Sequence, residues 1–138
     1  MKLELMALCD GANESQGKLN ILGAFDHLWV QKTPIVHPMC AITLRMRFQR
    51  SEEGEHRVRI TFADEDGQPI MPSLDGAIQV KCAPHQSTLL ANFIVNVQQL
   101  KLEKFGEYTI DLRVDGQHLG SIPLYVKELP PQTPPTSF

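Results

Sequence analysis

The stretch CAITLRMRF, Cys40 to Phe48, decides the fold. Its apolar residues Cys40, Ile42, Leu44, Met46 and Phe48 take alternate positions, and Thr43, Arg45 and Arg47 lie between them. A period of two puts the two sets on opposite faces of a β-strand. This is the pattern of an antiparallel strand with one side on a core and the other in water. RVRITF, Arg57 to Phe62, repeats it with Val58, Ile60 and Phe62 inward. EYTIDLRV, Glu107 to Val114, repeats it again with Tyr108, Ile110, Leu112 and Val114 inward. The charged run SEEGE, Ser51 to Glu55, reads as the turn joining the first two.

Working outward, the pattern predicts strands over Leu3–Cys9, Lys18–Gly23, Phe25–Val30, Ala77–Cys82 and Ile122–Lys127. LLANFIVNVQQLKL, Leu89 to Leu102, is ambiguous, because Leu89, Phe93, Val97 and Leu100 also suit one face of a helix. The β-branched Ile94, Val95 and Val97, two asparagines and the lack of a cap favour a strand. Asp-Gly occurs at 10–11, 66–67, 75–76 and 115–116, each beside an apolar run. Hairpins need residues there that tolerate positive φ. At the last of these, a three-residue loop (Asp115, Gly116, Gln117) sets Val114 against His118, Ile110 against Ile122 and Tyr108 against Leu124. A two-residue loop sets Ile110 against Ser121, a poorer match. Pro123 cannot donate to a ladder, which makes the final strand an expected edge.

Short strands at this spacing, with no convincing helix, predict an all-β immunoglobulin-like antiparallel β-sandwich of seven to nine strands over residues 1–127. LKLEKFGEY supports it: Tyr108 opens a strand as in the tyrosine corner, where the hydroxyl bonds back to the preceding link. The Cys–Trp–Cys core of antibody domains is absent. Residues 128–138, ELPPQTPPTSF, form a proline-rich tail that favours an extended polyproline II conformation. Pro130, Pro131, Pro134, Pro135 and the aromatic Phe138 make it a candidate docking peptide, set against the plainer reading of a disordered end.

A chain of 138 residues with 42% hydrophobic and 21% charged residues fits one globular domain. The net charge of −3, with no Lys/Arg cluster, argues against a nucleic-acid surface or an anionic membrane as partner. No stretch approaches the roughly 20 apolar residues of a membrane helix. Glu4 interrupts the apolar N-terminal stretch, which does not read as a signal peptide. A cytoplasmic location is therefore expected, with Cys9, Cys40 and Cys82 as reduced thiols.

Few residues suggest chemistry. In FADEDGQPI, Phe62 to Ile70, the acidic Asp64, Glu65 and Asp66 lack the alternating twelve-residue ligand pattern of a calcium loop. They read as a soluble turn rather than a cation site or a catalytic pair. His37–Cys40 and Cys82–His85 each have metal-knuckle spacing, but strand counting places them at opposite ends of the sandwich. His27, His56 and His118 are scattered, and no nucleophile elbow or phosphate-binding loop occurs. Cys9 alternates with Leu3, Leu5 and Ala7, which assigns it to the core. Trp29, the single tryptophan, reads first as a packing residue and second as an anchor for a ligand or partner.

The run GKLNILGAFD, the His37–Pro38 pair and the closing GEY…VDG…PLYV resemble a family of small bacterial β-sandwich proteins with no assigned activity. The resemblance spans most of residues 1–127 and implies a bacterial cytosolic protein without contributing a catalytic residue. The expected function is a non-enzymatic interaction module without cofactor. It would bind a protein partner, or itself, through an edge strand or the tail. The alternative is a small-ligand or carbohydrate binder using Trp29.

Overall fold

The computed structural model describes residues 1–130. Nine strands run through them: β1 (Lys2–Ser15), β2 (Lys18–Ala24), β3 (His27–Val30), β4 (Ile35–Gln49), β5 (Gly54–Ala63), β6 (Leu74–Val80), β7 (Thr88–Leu102), β8 (Gly106–Val114) and β9 (Gln117–Glu128). One sheet has the order β2-β1-β4-β7 and the other β3-β9-β8-β5-β6. The alternating residues of CAITLRMRF, RVRITF and EYTIDLRV meet between the sheets. Ile42, Leu44, Met46, Phe48, Ile60, Phe62, Ile110 and Leu112 are all fully buried. The β-sandwich expected from the alternation is thus the fold, and its β1-β4-β7 and β9-β8-β5 groups match the A-B-E and G-F-C strands of an immunoglobulin domain.

The ambiguous segment is strand β7, paired with β4 from Ile35↔Leu102 to Gln49↔Thr88. Its apparent helical spacing has a local cause. Gln99 has φ +55°, which shifts the alternation so that Leu100 and Leu102 enter the core after Val97.

Four details depart from expectation. First, the β8–β9 turn has two residues, Asp115 (φ +53°) and Gly116 (φ +79°), with Val114 opposite Gln117. A bulge then leaves Leu119 unpaired between Arg113↔His118 and Leu112↔Gly120, which restores Ile110↔Ile122 and Tyr108↔Leu124. The loop length was misjudged because the bulge absorbs the extra residue. Second, Asp10-Gly11 and Asp75-Gly76 lie inside β1 and β6, and only the other two Asp-Gly pairs sit at turns. Third, β9 is not an edge. The sheets are antiparallel except that β3 joins β9 in parallel, His27↔Tyr125 to Val30↔Glu128. Pro123 lies just before that pairing begins, where no donor is required.

The fourth concerns Cys9. A bulge between Leu3 and Leu5 and the pairing Cys9↔Ala41 put this thiol on the outer face with Thr43, its sulfur 3.5 Å from the Thr43 hydroxyl. Cys9, Ala41 and Thr43 are nonetheless fully buried. The β1–β2 hairpin covers them. Its tip carbonyl at Gly17 accepts a bond from Asn92 Nδ2 at 3.2 Å, and Asn92 stands beside Arg45, well back along β4 from Ala41. The arm must therefore fold back over the sheet. It turns the half-buried Ala12, Leu19 and Ile21 inward and leaves Leu22 74% exposed.

The tyrosine corner is present. Tyr108 is buried, its hydroxyl donates to the Lys104 carbonyl at 2.7 Å, and it accepts from the Lys104 amide at 3.2 Å. Tyr108→Phe removes both bonds and is expected to destabilise the protein by about 1–3 kcal/mol. The urea midpoint should fall at constant m value, and an unchanged midpoint would show that the corner holds nothing.

Candidate functional site: the β7 edge and the Trp29 platform

The acidic loop is a closed turn. Asp64 Oδ1 accepts from the Asp66 and Gln68 amides at 2.9 and 3.0 Å, and Glu65 Oε1 accepts from the Glu107 amide at 2.8 Å. Lys104 lies 3.6 Å from both Asp64 and Asp66. The Gln68 amide, then the Asp66 amide and Lys104, overcome a little burial and hold the Asp64 carboxyl below its ordinary 3.8. All three acidic side chains thus bind within the chain.

The two His/Cys pairs do not meet. Cys40 lies opposite Val97, while Cys82 is tied to the far end of the sandwich by the hydrogen bond that its backbone N–H donates to Glu53 Oε1 (2.7 Å). His85 lines a surface cleft beside Gln49 and Arg50 at that same end. Among the described residues no group of three or more His, Cys, Asp or Glu is placed to hold a metal ion. Burial, with some help from Cys9 and Asp10, pushes the Cys40 thiol up to about 11, which suits an inert core residue.

His56 is a structural lock. Its ring packs tilted against Phe48 and is nearly buried, with Nδ1 2.6 Å from Asp115 Oδ2 and Nε2 2.5 Å from the Glu52 carbonyl. Both partners are acceptors, an arrangement that the doubly protonated imidazolium satisfies in full. Burial works against that charge, but the Glu52 carbonyl and the Asp115 carboxylate outweigh it and raise the His56 pKa above 6.5. Asp115 also accepts from the Arg57 amide at 2.9 Å, which pins the β8–β9 turn to β5. Nearby, a cleft of about 750 Å³ is lined by Arg57, Arg59 and Arg113. Each arginine has an acidic neighbour: Glu55 at 3.5 Å, Asp75 at 2.8 Å and Asp111 at 3.7 Å.

Among the described residues two surfaces stand out. The first is the outer edge of β7. An immunoglobulin sandwich of the constant type places a further strand, D, beside E. Here residues 81–87, between β6 and β7, form no strand, and β7 ends its sheet. From Ser87 to Leu100 the sequence STLLANFIVNVQQL carries no charge and no proline. Charges and prolines are the usual guards of an exposed edge, and β7 lacks them along this run.

The second is Trp29, 53% exposed on edge strand β3. The parallel register sets His27 beside Tyr125 and Trp29 beside Lys127 on the outer face. The His27 ring stacks between Tyr125 (centroids 4.8 Å apart) and Trp29 (5.9 Å, interplanar angle 13°). Lys127 Nζ lies 5.7 Å from the indole and 5.6 Å from the phenol ring. Trp29 thus lies outside the core and packs on the sheet's outer face. The partners His27, Tyr125 and Lys127 were not singled out from sequence, since a parallel β3–β9 pairing has no local signature. Pro130 follows this platform and is exposed, while Pro131, Pro134, Pro135 and Phe138 lie outside the described residues.

Residues 4–127 match the model of a family of unknown function, DUF6941. The chain belongs to that family. The match covers all nine strands save the end residues of β1 and β9, so both surfaces lie within or directly beside the family's domain. No curated protein matches the chain. No helix among the described residues is long and apolar enough to cross a membrane.

Two outcomes are expected. Because the folded His56 pKa is raised, its stabilisation is complete below 6.5 and is lost as pH rises through the folded value. The melting temperature should therefore fall from about pH 6 to 8, and His56→Gln should flatten that slope. A slope unchanged in the variant would remove His56 from this role. With Cys9, Cys40 and Cys82 all buried, Ellman's reagent should find no reactive thiol in native protein and three in urea.

Proposed function

We propose that the chain is a protein-interaction module that accepts an extended segment of a partner along the outer edge of β7. The missing D strand carries this reading: the position that covers β7 in a complete sandwich is empty among the described residues. An added strand would satisfy the outward backbone groups, and side-chain pockets alternating along it would supply selectivity. Phe93 backs the edge, its ring filling the space where a Cβ on Gly76 would stand. The chemistry suits binding rather than turnover. The acidic side chains and the nearly buried histidine already have partners within the fold, and the thiols are buried. The bacterial and cytoplasmic assignments belong to the same proposal; the first rests on the sequence resemblance, the second on that resemblance and on three cysteines with no disulfide framework.

A second reading, a small-ligand or carbohydrate site, draws support from the exposed indole of Trp29 and the stacked rings beside it. Titration with soluble oligosaccharides would then shift the emission of this single tryptophan.

The edge is tested by charging it. Asn96 is exposed on the outer face of β7, and Asn96→Lys should cost the fold no more than about 0.5 kcal/mol. Native and variant chains serve as baits in lysate of the host organism. The expected result is a partner retained by the native chain alone, which slows amide exchange along Thr88–Leu102 when bound. A partner held equally by both baits, or one that protects other strands, would overturn the assignment.

A further inference from the structure

We infer that the cleft on the outer face of β6, β5 and β8 is an anion site, which takes a small molecule carrying a phosphoryl or diphosphoryl group on Arg57, Arg59 and Arg113. This surface is separate from the β7 edge, and the inference does not rest on the proposal made there. The alternation that buries Val58, Ile60, Leu112 and Val114 turns the three arginines to the opposite face, where they line one cleft. Arg57 and Arg59 stand two residues apart on β5, about 7 Å, and Arg113 of β8 lies directly opposite Arg59. Like charges in opposed positions destabilise a sheet, and breaches of such local rules concentrate at functional sites. The resident carboxylates answer this charge thinly. Asp75, opposite Arg59 on β6, accepts one bond from Arg59 Nε at 2.8 Å. Asp111 stands 3.7 Å from Arg113 but 2.6 Å from His118, and Glu55 stands 3.5 Å from Arg57. Asp115 also lines the cleft, but one of its oxygens faces His56 Nδ1 at 2.6 Å and the other accepts from the Arg57 amide at 2.9 Å.

Donor supply and shape select the ligand. A guanidinium offers five N–H donors in a planar fork. Among the described residues the three side chains make two hydrogen bonds, Arg59 to Asp75 and Arg113 Nη1 to the Gly116 carbonyl at 3.3 Å. The remaining donors face solvent and can be gathered by one multivalent acceptor. A simple carboxylate would offer no more than Asp75 and Asp111 already do. A phosphoryl group brings up to two charges and three strong acceptor oxygens, which suits forks arriving from two strands. The cleft holds about 750 Å³, within the range of small-molecule sites. Gly76, Ala77 and Gly116 keep its surface low between the arginines, and no aromatic side chain lines it. Recognition therefore rests on charge and hydrogen bonding rather than on stacking. Sequence inspection finds no basic cluster because the three residues come from strands far apart in the chain.

The test is calorimetric titration of the full chain with inorganic pyrophosphate at physiological salt, beside citrate as a polyanion of carboxylates. Saturable binding of one pyrophosphate per chain is expected, with citrate at least about ten-fold weaker. Arg59→Gln and Arg113→Gln should each weaken pyrophosphate binding about ten-fold, since each removes charged hydrogen bonds to the anion. Lys18→Gln makes the same charge change at an exposed position on β2 and should leave binding unaltered. Amide chemical-shift mapping on the native chain gives a readout that needs no variant to fold. Pyrophosphate should move the signals of Arg57, Arg59, Gly76 and Arg113 most. Absence of saturable binding would overturn the inference, as would shifts centred elsewhere. Equal affinity for citrate would overturn the phosphoryl assignment, and equal losses in Lys18→Gln would reduce the effect to overall charge.

Discussion

The burial of β4 on both faces is the constraint on which the rest of the structure depends. Its core face carries Cys40, Ile42, Leu44, Met46 and Phe48, all without solvent exposure. Its outer face carries Ala41 and Thr43, equally buried, before Arg45 and Arg47 bring it back toward water. A strand enclosed in this way cannot slip by one residue without driving arginines into the core. Its neighbours inherit that register. Glu4 of β1 braces the charged end, accepting from Arg47 Nε at 2.7 Å, and Arg47 also donates to the Thr88 hydroxyl of β7 at 3.1 Å.

The fold-back of the β1–β2 hairpin follows from the same burial. Small residues at Cys9, Ala41 and Thr43 leave a shallow bed in which a second layer can lie. The bend needs glycine at Gly23, where φ is +66° and a Cβ would collide with the Asp10 carboxylate. Sequence patterning showed where the strands were but not this bend. Asp10-Gly11 has the composition of a turn, yet the chain passes through it in strand conformation and reverses only at Gln16-Gly17. A two-residue motif encodes a tolerance for positive φ, and tertiary context decides whether it is used.

Legibility elsewhere followed the range of the interactions. Alternation and the tyrosine corner are local, and the sandwich, the strand assignment of β7 and the Tyr108–Lys104 bonds could be expected from them. The bulge at Leu119 and the positive φ of Gln99 were invisible because each is a compromise between two strands. The Trp29 platform was half visible. The indole stood out by its rarity, but its neighbours Tyr125 and Lys127 come from nearly a hundred residues away, through a parallel pairing of only four residues. His56 likewise needed Asp115 beside it before its charge acquired a meaning.

The β7 edge and the Trp29 ring stack lie on opposite flanks of the sandwich. β7 borders β6, where Phe93 meets Gly76, whereas β3 lies against the flank on which Phe25 bonds to Leu8 of β1. Occupation of one edge therefore leaves the other sterically clear. They also differ in what they can read. A bare strand edge recognises backbone, so it binds extended segments of many sequences and needs alternate side chains for selectivity. A stack of rings recognises the faces of proline or other flat apolar groups and is indifferent to backbone hydrogen bonding. A segment rich in proline lacks the donors that pairing with β7 demands, and a pairing strand has no ring to offer Trp29. A strand added at β7 and a flat apolar group at Trp29 would thus not compete for one site.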